Sequence, residues 1–263
     1  MSSKGPALTI RKFSIKNYTL DDLVKNEFMS EKAAQFLKAA VQMRISLVIS
    51  GGTGSGKTSL LNTLGSLIPP TERIISIEDV PELRFQHPNW VALQSVYNDQ
   101  NKITSKQCLI NSLRMRPDRI IVGECRKDET FEMLQAMNTG HDGSMTTVHG
   151  NSAVDCLSRL ESLVQLSGIE LPLKQVRFQM SKAVDLIIQI RRRADGHREL
   201  VDITEVVGMD HETITRATLF ERTRTGELTT TGLVPQILKK INQNQILIPS
   251  NFFESRALTK KPA

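Results

Sequence analysis

Ser50-Gly51-Gly52-Thr53-Gly54-Ser55-Gly56-Lys57-Thr58 is the stretch from which the rest of the chain can be read. From Gly51 to Thr58 it meets the phosphate-loop pattern G-x-x-x-x-G-K-[ST] at every constrained position. Upstream, Ile45-Ser46-Leu47-Val48-Ile49 has the length and apolarity of a buried strand; downstream, Leu60, Leu61, Leu64 and Ile68 recur at helical spacing until Pro69-Pro70 stops the helix. Strand, glycine turn and helix start are the context in which such a loop wraps phosphates. Glycines let backbone N–H groups curl around the anion, and the helix N-terminus adds the positive end of its dipole. Lys57 can then reach the β- and γ-phosphates, and the Thr58 hydroxyl can ligate Mg²⁺. Gly51, Gly52, Thr53, Gly54, Ser55, Gly56, Lys57, Thr58 and Ser59 are the expected nucleotide-binding residues.

The 263 residues suffice for one large domain, or one domain with a small appendage, around a full core. No apolar run approaches the ~20 residues that span a bilayer, and no signal peptide opens the chain. Cys108, Cys125 and Cys156 are odd in number and far apart, suggesting neither a disulfide framework nor a zinc cluster, which favours a cytoplasmic setting. The net charge of +6 permits contact with nucleic acid or anionic lipid. Yet the basic residues are scattered, apart from Arg191-Arg192-Arg193, and one Trp and two Tyr form no visible platform for single strands. A solvated basic surface is the better reading, with no direct nucleic-acid contact expected.

Along the chain, residues 1–19 read as the end of a preceding domain and a linker, with one strand-like piece at 8–13. Ser30 caps a helix running to residue 44. Strands are expected at 73–78, 90–94, 118–124 and 143–148, helices at 104–115, 128–138 and 151–167, and a loop over 95–103. Pro172 suits the first turn of a helix reaching about residue 183. Thereafter the period shifts towards two, predicting antiparallel strands at 185–190, 198–206 and 212–220, an Asp195-Gly196 hairpin turn, and a last helix over 233–241. The alternation predicts an α/β fold with a mostly parallel, doubly covered sheet over 20–185 and a small β-rich and helical appendage over 186–263.

Cleaving a γ-phosphate needs a metal, a carboxylate that orients water, and positive charge. Arg119-Ile120-Ile121-Val122-Gly123-Glu124 is an apolar strand ending in an acid; such a strand lies beside the loop in phosphate-loop enzymes, so Glu124 is a candidate to hold Mg²⁺ through water. Apolar strands also end in ordinary solvated glutamates. A second acidic cluster, Glu78-Asp79-Val80-Pro81-Glu82, sits at another strand end, with Glu78 a candidate general base. His141 and His149 lack the third ligand of a metal site, and by chemistry alone both read as hydrogen-bonded core histidines.

The order of phosphate loop, Ile77-Glu78-Asp79, Arg116-Pro117-Asp118 through Glu124, and Thr139-Gly140-His141 resembles the secretion and pilus ATPases of the type II/type IV superfamily. Within it, Met137-Asn138-Thr139-Gly140-His141-Asp142-Gly143-Ser144 and Leu157-Ser158-Arg159-Leu160-Glu161 are most similar to the tight-adherence (Tad) pilus assembly ATPases. The resemblance implies a RecA-like motor domain with ATP and Mg²⁺ as cofactors, working as a homo-hexameric ring. Such a ring is peripheral at the bacterial inner membrane and drives pilus assembly, retraction or secretion through membrane platform proteins. It makes Glu78 the catalytic base with Glu82 as runner-up, Glu124 and Thr58 the metal-associated residues, and His149 the γ-phosphate sensor. His141 then braces its loop, and Arg11 reaches a neighbour's nucleotide. Relatives carry a whole domain ahead of residues 10–13, an arginine where Val96 stands, and a small glycine where Lys127 stands. Those departures touch ring contacts rather than phosphate chemistry. They leave room for two other readings: a DNA-transfer motor, and a nucleotide-binding ring subunit that hydrolyses little.

Overall fold

A computed structural model describes residues 5, 6, 8, 10, 17–97, 102–242 and 248–254. Apart from its residues 8 and 10, the strand-like piece over 8–13 lies outside them, as does Arg11.

The four fully buried strands come first, because burial on both faces selects short, mostly apolar runs. β1 (Leu47–Gly51) and β2 (Ile74–Glu78) are buried at every residue. So are β6 (Arg119–Val122) and β7 (Met145–Val148). Successive side chains leave a strand on opposite faces. Accordingly Leu47 and Ile49 of β1 join one core while Val48 joins another, and Ile121 of β6 parts from Ile120 and Val122 in the same way. The first core is completed by α1 (Leu20–Lys25), α2 (Glu31–Gln42) and α3 (Lys57–Gly65). The second is completed by α4 (Ser105–Ser112), α5 (Glu129–Asn138), α6 (Ala153–Leu166) and α7 (Leu173–Ala183). The doubly covered parallel sheet expected from the alternation is therefore present.

β3 (Trp90–Gln94) is the half-exposed edge. The rest are β8 (Leu186–Arg192), β9 (Arg198–Asp210), β10 (Thr213–Arg222) and β11 (Leu228–Thr230). They assemble in the order β11-β10-β9-β8-β1-β7-β6-β2-β3. The six strands from β8 to β3 are parallel, and β9, β10 and β11 continue antiparallel. One reading is corrected here. The segment following residue 185 is antiparallel only towards β9; towards β1 it is parallel, with Leu47 opposite Leu186, so the appendage grows out of the main sheet. The acid-tipped strand β6 is second from the phosphate-loop strand, with β7 between them.

Smaller differences have local causes. The loop over 95–103 contains a two-residue antiparallel ladder, β4 (Val96–Tyr97) with β5 (Lys102–Ile103). The last helix, α8, is confined to Leu238–Asn242; Pro235 disfavours helical backbone at Val234, which opposes the start expected at 233. There Glu205 accepts hydrogen bonds from the Gln236 and Ile237 amides at 3.0 and 2.7 Å. The short α1 was not anticipated, although its Thr19/Asp22 capping box is visible in the sequence. Phe36, Phe220 and Phe253 pack with ring centroids 5.5 to 6.1 Å apart, joining α2 to the appendage.

Candidate active site

Parallel strands end on one side of a sheet, so chemistry placed at strand ends converges there. Residues that follow β1, β2, β6 and β7 are distant in sequence yet share that edge.

The phosphate loop leaves β1 and enters α3 through Gly56, which occupies the left-handed region at φ 100°, with Gly54 at φ 72°. A side chain at either position would be strained. Because the N-cap is a glycine without a side-chain cap, the first-turn amides of Lys57, Thr58 and Ser59 keep their donors for an anion. Ser55 Oγ donates to Gly52 O at 2.7 Å and tightens the turn. Lys57 Nζ donates to Gly51 O and Gly52 O at 2.8 and 3.1 Å, which lays the ammonium along the inside of the loop. Burial lowers the Lys57 pKa, an effect opposed by the nearby Glu124 carboxylate.

A cavity of about 400 Å³ opens over this loop. Thr53, Gly54, Gly56, Lys57, Thr58 and Ser59 line it from one side. Glu82, Glu124, Arg126, Thr147 and His149 line it from the other, so β7 does not keep Glu124 from the loop. A second compartment of about 100 Å³ adjoins it, walled by Thr58, Glu78, Glu82, Glu124 and Arg126. Glu78 and Glu124 are thus carried by neighbouring strand ends, with Ile77 registered opposite Val122. A Cβ on Gly123 would stand 3.1 Å from Glu78 Cγ, so the glycine between the strand and Glu124 makes room for the other carboxylate.

Each acid has its own environment. Glu78 is buried, and its Oε1 accepts from the Glu82 and Leu83 amides, both at 2.9 Å. Burial raises its pKa against those two bonds. Asp79 receives the Ser95 and Ser105 hydroxyls at 2.6 and 2.7 Å. Burial pushes its carboxyl up, but the hydroxyl bonds with Arg126 and Lys127 outweigh it and the pKa falls. Glu124 Oε2 is engaged by Arg126, whose Nε donates at 2.7 Å. Its Oε1 lies 2.8 Å from His149 Nε2 without hydrogen-bond alignment, leaving a buried acceptor with no aligned donor among the described residues. Burial and the Lys57 charge lower the His149 pKa, against the pull of Glu124, which favours neutral imidazole. His141 stands away from these lining residues, with Nδ1 3.3 Å from Ala136 O at the end of α5.

The residues present fit a nucleotide with its Mg²⁺. No group of three or more His, Cys, Asp or Glu could hold a metal unaided among the described residues. Mg²⁺ commonly takes one or two protein ligands together with substrate phosphates and water, and the Thr58 hydroxyl with the unaligned Glu124 oxygen suits that role.

Two cations were missed from the sequence. Arg198 lines the same cavity, and its Nε donates to Gly54 O at 2.9 Å. The Arg192 guanidinium comes within 3.7 Å of the point a Cβ on Gly54 would occupy. Both belong to the β8–β9 hairpin, and the only sequence signal was the Arg191-Arg192-Arg193 run.

Comparison with known proteins follows the same lines. The model of the family described as type II/IV secretion system protein matches residues 1–246. A conjugal transfer protein, TrbB of Rhizobium radiobacter, is 39% identical over 197 residues, covering 74% of this chain and 58% of that protein. The chain therefore spans a little over half the length of that curated relative. The VirB11 ATPase of the Brucella suis type IV secretion system, solved with sulphate, aligns at TM-score 0.59 and 32% identity over 73% of this chain and 66% of that one. The pilus retraction motor PilT, solved with ADP, aligns at TM-score 0.54 and 25% identity over 90% of this chain and 59% of that one. The chain belongs to the type II/IV secretion system protein family, with the RecA-like ATPase fold that its sheet and phosphate loop share with those structures.

Proposed function

We propose that this chain is the motor domain of a ring-forming ATPase that serves conjugation-type (type IV) secretion at the bacterial inner membrane. The observation that carries the reading is the convergence of Lys57, Thr58, Glu124 and His149 on one cavity, with Glu78 in the compartment beside it. The similarity to a conjugal transfer protein and to a VirB11 ATPase favours the conjugation machinery over the Tad pilus systems.

In this reading the loop amides and Lys57 hold the β- and γ-phosphates, and Thr58 and Glu124 hold Mg²⁺. The metal supplies charge neutralisation on the phosphate oxygens. Glu78, placed by the Glu82 and Leu83 amides, takes a proton from the attacking water while its oxygen closes on the γ-phosphorus and the bond to the β-phosphate oxygen breaks. His149 donates a hydrogen bond to the γ-phosphate as neutral imidazole and so senses which nucleotide is bound. Arg11 of a neighbouring subunit is the remaining expected cation. A homo-hexamer working on inner-membrane platform proteins, without touching DNA itself, completes the assignment.

Steady-state ATP turnover is the test, with Lys57→Ala and Glu124→Gln as controls. Slow turnover that rises with protein concentration is expected, because neighbours complete each site. Turnover no faster than Lys57→Ala at any concentration would instead identify a nucleotide-binding subunit with little hydrolysis. The likeness to PilT supports a second reading, a pilus motor. Stimulation by a pilus platform protein argues for that reading; a rate stimulated by DNA argues against it and also overturns the absence of direct DNA contact assigned above.

A further inference from the structure

β8 begins Leu186-Ile187-Ile188-Gln189-Ile190, one amide among four aliphatic residues, and all five are buried. Such an amide carries two donors and an acceptor into the core, where each needs a partner. Gln189 meets that need at one end only. Its Nε2 donates to Gly150 O and to Ile190 O, both at 3.2 Å. Its Oε1 is buried with no partner among the described residues. The orientation follows from the chemistry, because a flipped amide would set its own oxygen against two carbonyls. An aliphatic side chain would leave no acceptor unpaired, so stability alone does not account for a glutamine here.

The two carbonyls belong to different parts of the site. Gly150 follows His149 in the turn by which the chain leaves β7 for α6. It is wedged between its neighbours. A Cβ there would stand 2.6 Å from Ser50 Oγ, on the strand that feeds the phosphate loop, and 3.1 Å from Cys156 N in the first turn of α6. Ile190 lies directly opposite Gly51 in the β1–β8 pair. A Cβ on Gly51 would stand 2.7 Å from Ile190 O, so that carbonyl backs the first residue of the phosphate loop. One side-chain amide thus joins the turn that carries His149 to the strand that supports the loop His149 faces.

We infer that Gln189 is a positioning residue for nucleotide discrimination: its amide fixes the Gly150 carbonyl against β8 and thereby holds His149 opposite the phosphate loop, where the imidazole can meet a γ-phosphate. The inference rests on the sensor role proposed above for His149. It adds that discrimination between ATP and ADP depends on a residue that lines neither compartment of the site. That residue is set in the strand joining the parallel and antiparallel parts of the sheet.

Titration calorimetry of Mg²⁺-ATP and Mg²⁺-ADP against the full chain tests this, with Gln189→Met, His149→Ala and the two combined. Methionine keeps the length of glutamine and removes the donor. Gln189→Met should lower the preference for ATP over ADP by about fivefold and leave ADP affinity within about twofold, because ADP lacks the phosphate that His149 meets. In the His149→Ala background the same substitution should change the preference by less than about twofold. A merely structural role would weaken both nucleotides alike, or add its full effect to that of His149→Ala. Either result overturns the inference, as does an unchanged preference in Gln189→Met. Gly150→Ala disturbs the turn from the opposite side with Gln189 in place, and it too should lower the preference by about fivefold. Should Gln189→Met fail to fold, an unchanged preference in Gly150→Ala overturns the inference instead. If His149→Ala prefers ATP as strongly as wild type, the sensor role itself fails. A loss in His149→Ala with none in Gln189→Met sinks this inference alone.

Discussion

Replacing Glu78 by glutamine separates its two duties, because its carboxylate is both the proposed base and the acceptor that shapes the turn at residues 82 and 83. The side-chain carbonyl of glutamine can accept the same two amides that Glu78 Oε1 accepts at 2.9 Å, so the turn survives. Folding stability should change by no more than about 1 kcal/mol. Burial raises the Glu78 pKa, so its contribution to stability is fullest in acid and is lost as pH rises through the folded-state value. Glutamine removes that loss, and Glu78→Gln should gain on wild type at alkaline pH. Catalysis should behave oppositely. A base works ionised, so wild-type turnover should fall as pH drops through the raised pKa. Glu78→Gln should keep ATP affinity and lose about 100- to 10,000-fold in kcat, the usual contribution of general base catalysis. Glu78→Ala leaves two amides without acceptors, one on buried Leu83, and should also cost about 2–4 kcal/mol of stability. Single-turnover hydrolysis over a pH series, with urea unfolding of the same samples, measures both effects. Wild-type turnover by Glu78→Gln refutes the assignment and moves the base to Glu82, which borders both compartments.

His149→Ala should reduce the preference for ATP over ADP by about tenfold, since a hydrogen bond to a charged phosphate is lost; equal affinity ratios in titration calorimetry would return His149 to a structural role. Gly65→Ala should lower the urea midpoint without changing the slope. The new Cβ would stand 2.2 Å from Phe85 Cε1, an overpacking cost of about 1–3 kcal/mol that exceeds the helix propensity gained. Arg119→Met should destabilise by about 3–5 kcal/mol, because the guanidinium is fully buried and holds both Glu72 oxygens at 2.6 and 3.1 Å. Adding Glu72→Met should restore part of the loss, and no recovery in thermal melts would mean that the pair matters for its packing alone.

What the amino-acid sequence alone determined was whatever is encoded contiguously. The phosphate loop keeps its glycines, lysine and threonine within nine residues, so local backbone rules make it legible, and Gly54 and Gly56 take the positive φ those rules require. Helices α2 and α6 and strands β1 and β6 were visible because burial imposes a period that a short window reveals. The acids at residues 78 and 124 could be nominated from their places at strand ends and by resemblance, but their meeting depends on β2 and β6 being neighbours. Strand order arises from long-range pairing, which no local pattern records. The same pairing placed β7 between β1 and β6 and brought Arg198 from the antiparallel strands onto Gly54, 144 positions away. Taken singly, that arginine looks like any other basic surface residue. Only the folded sheet, by aligning β8 with β1 and turning β9 back across it, gives its charge a fixed place beside the phosphate loop.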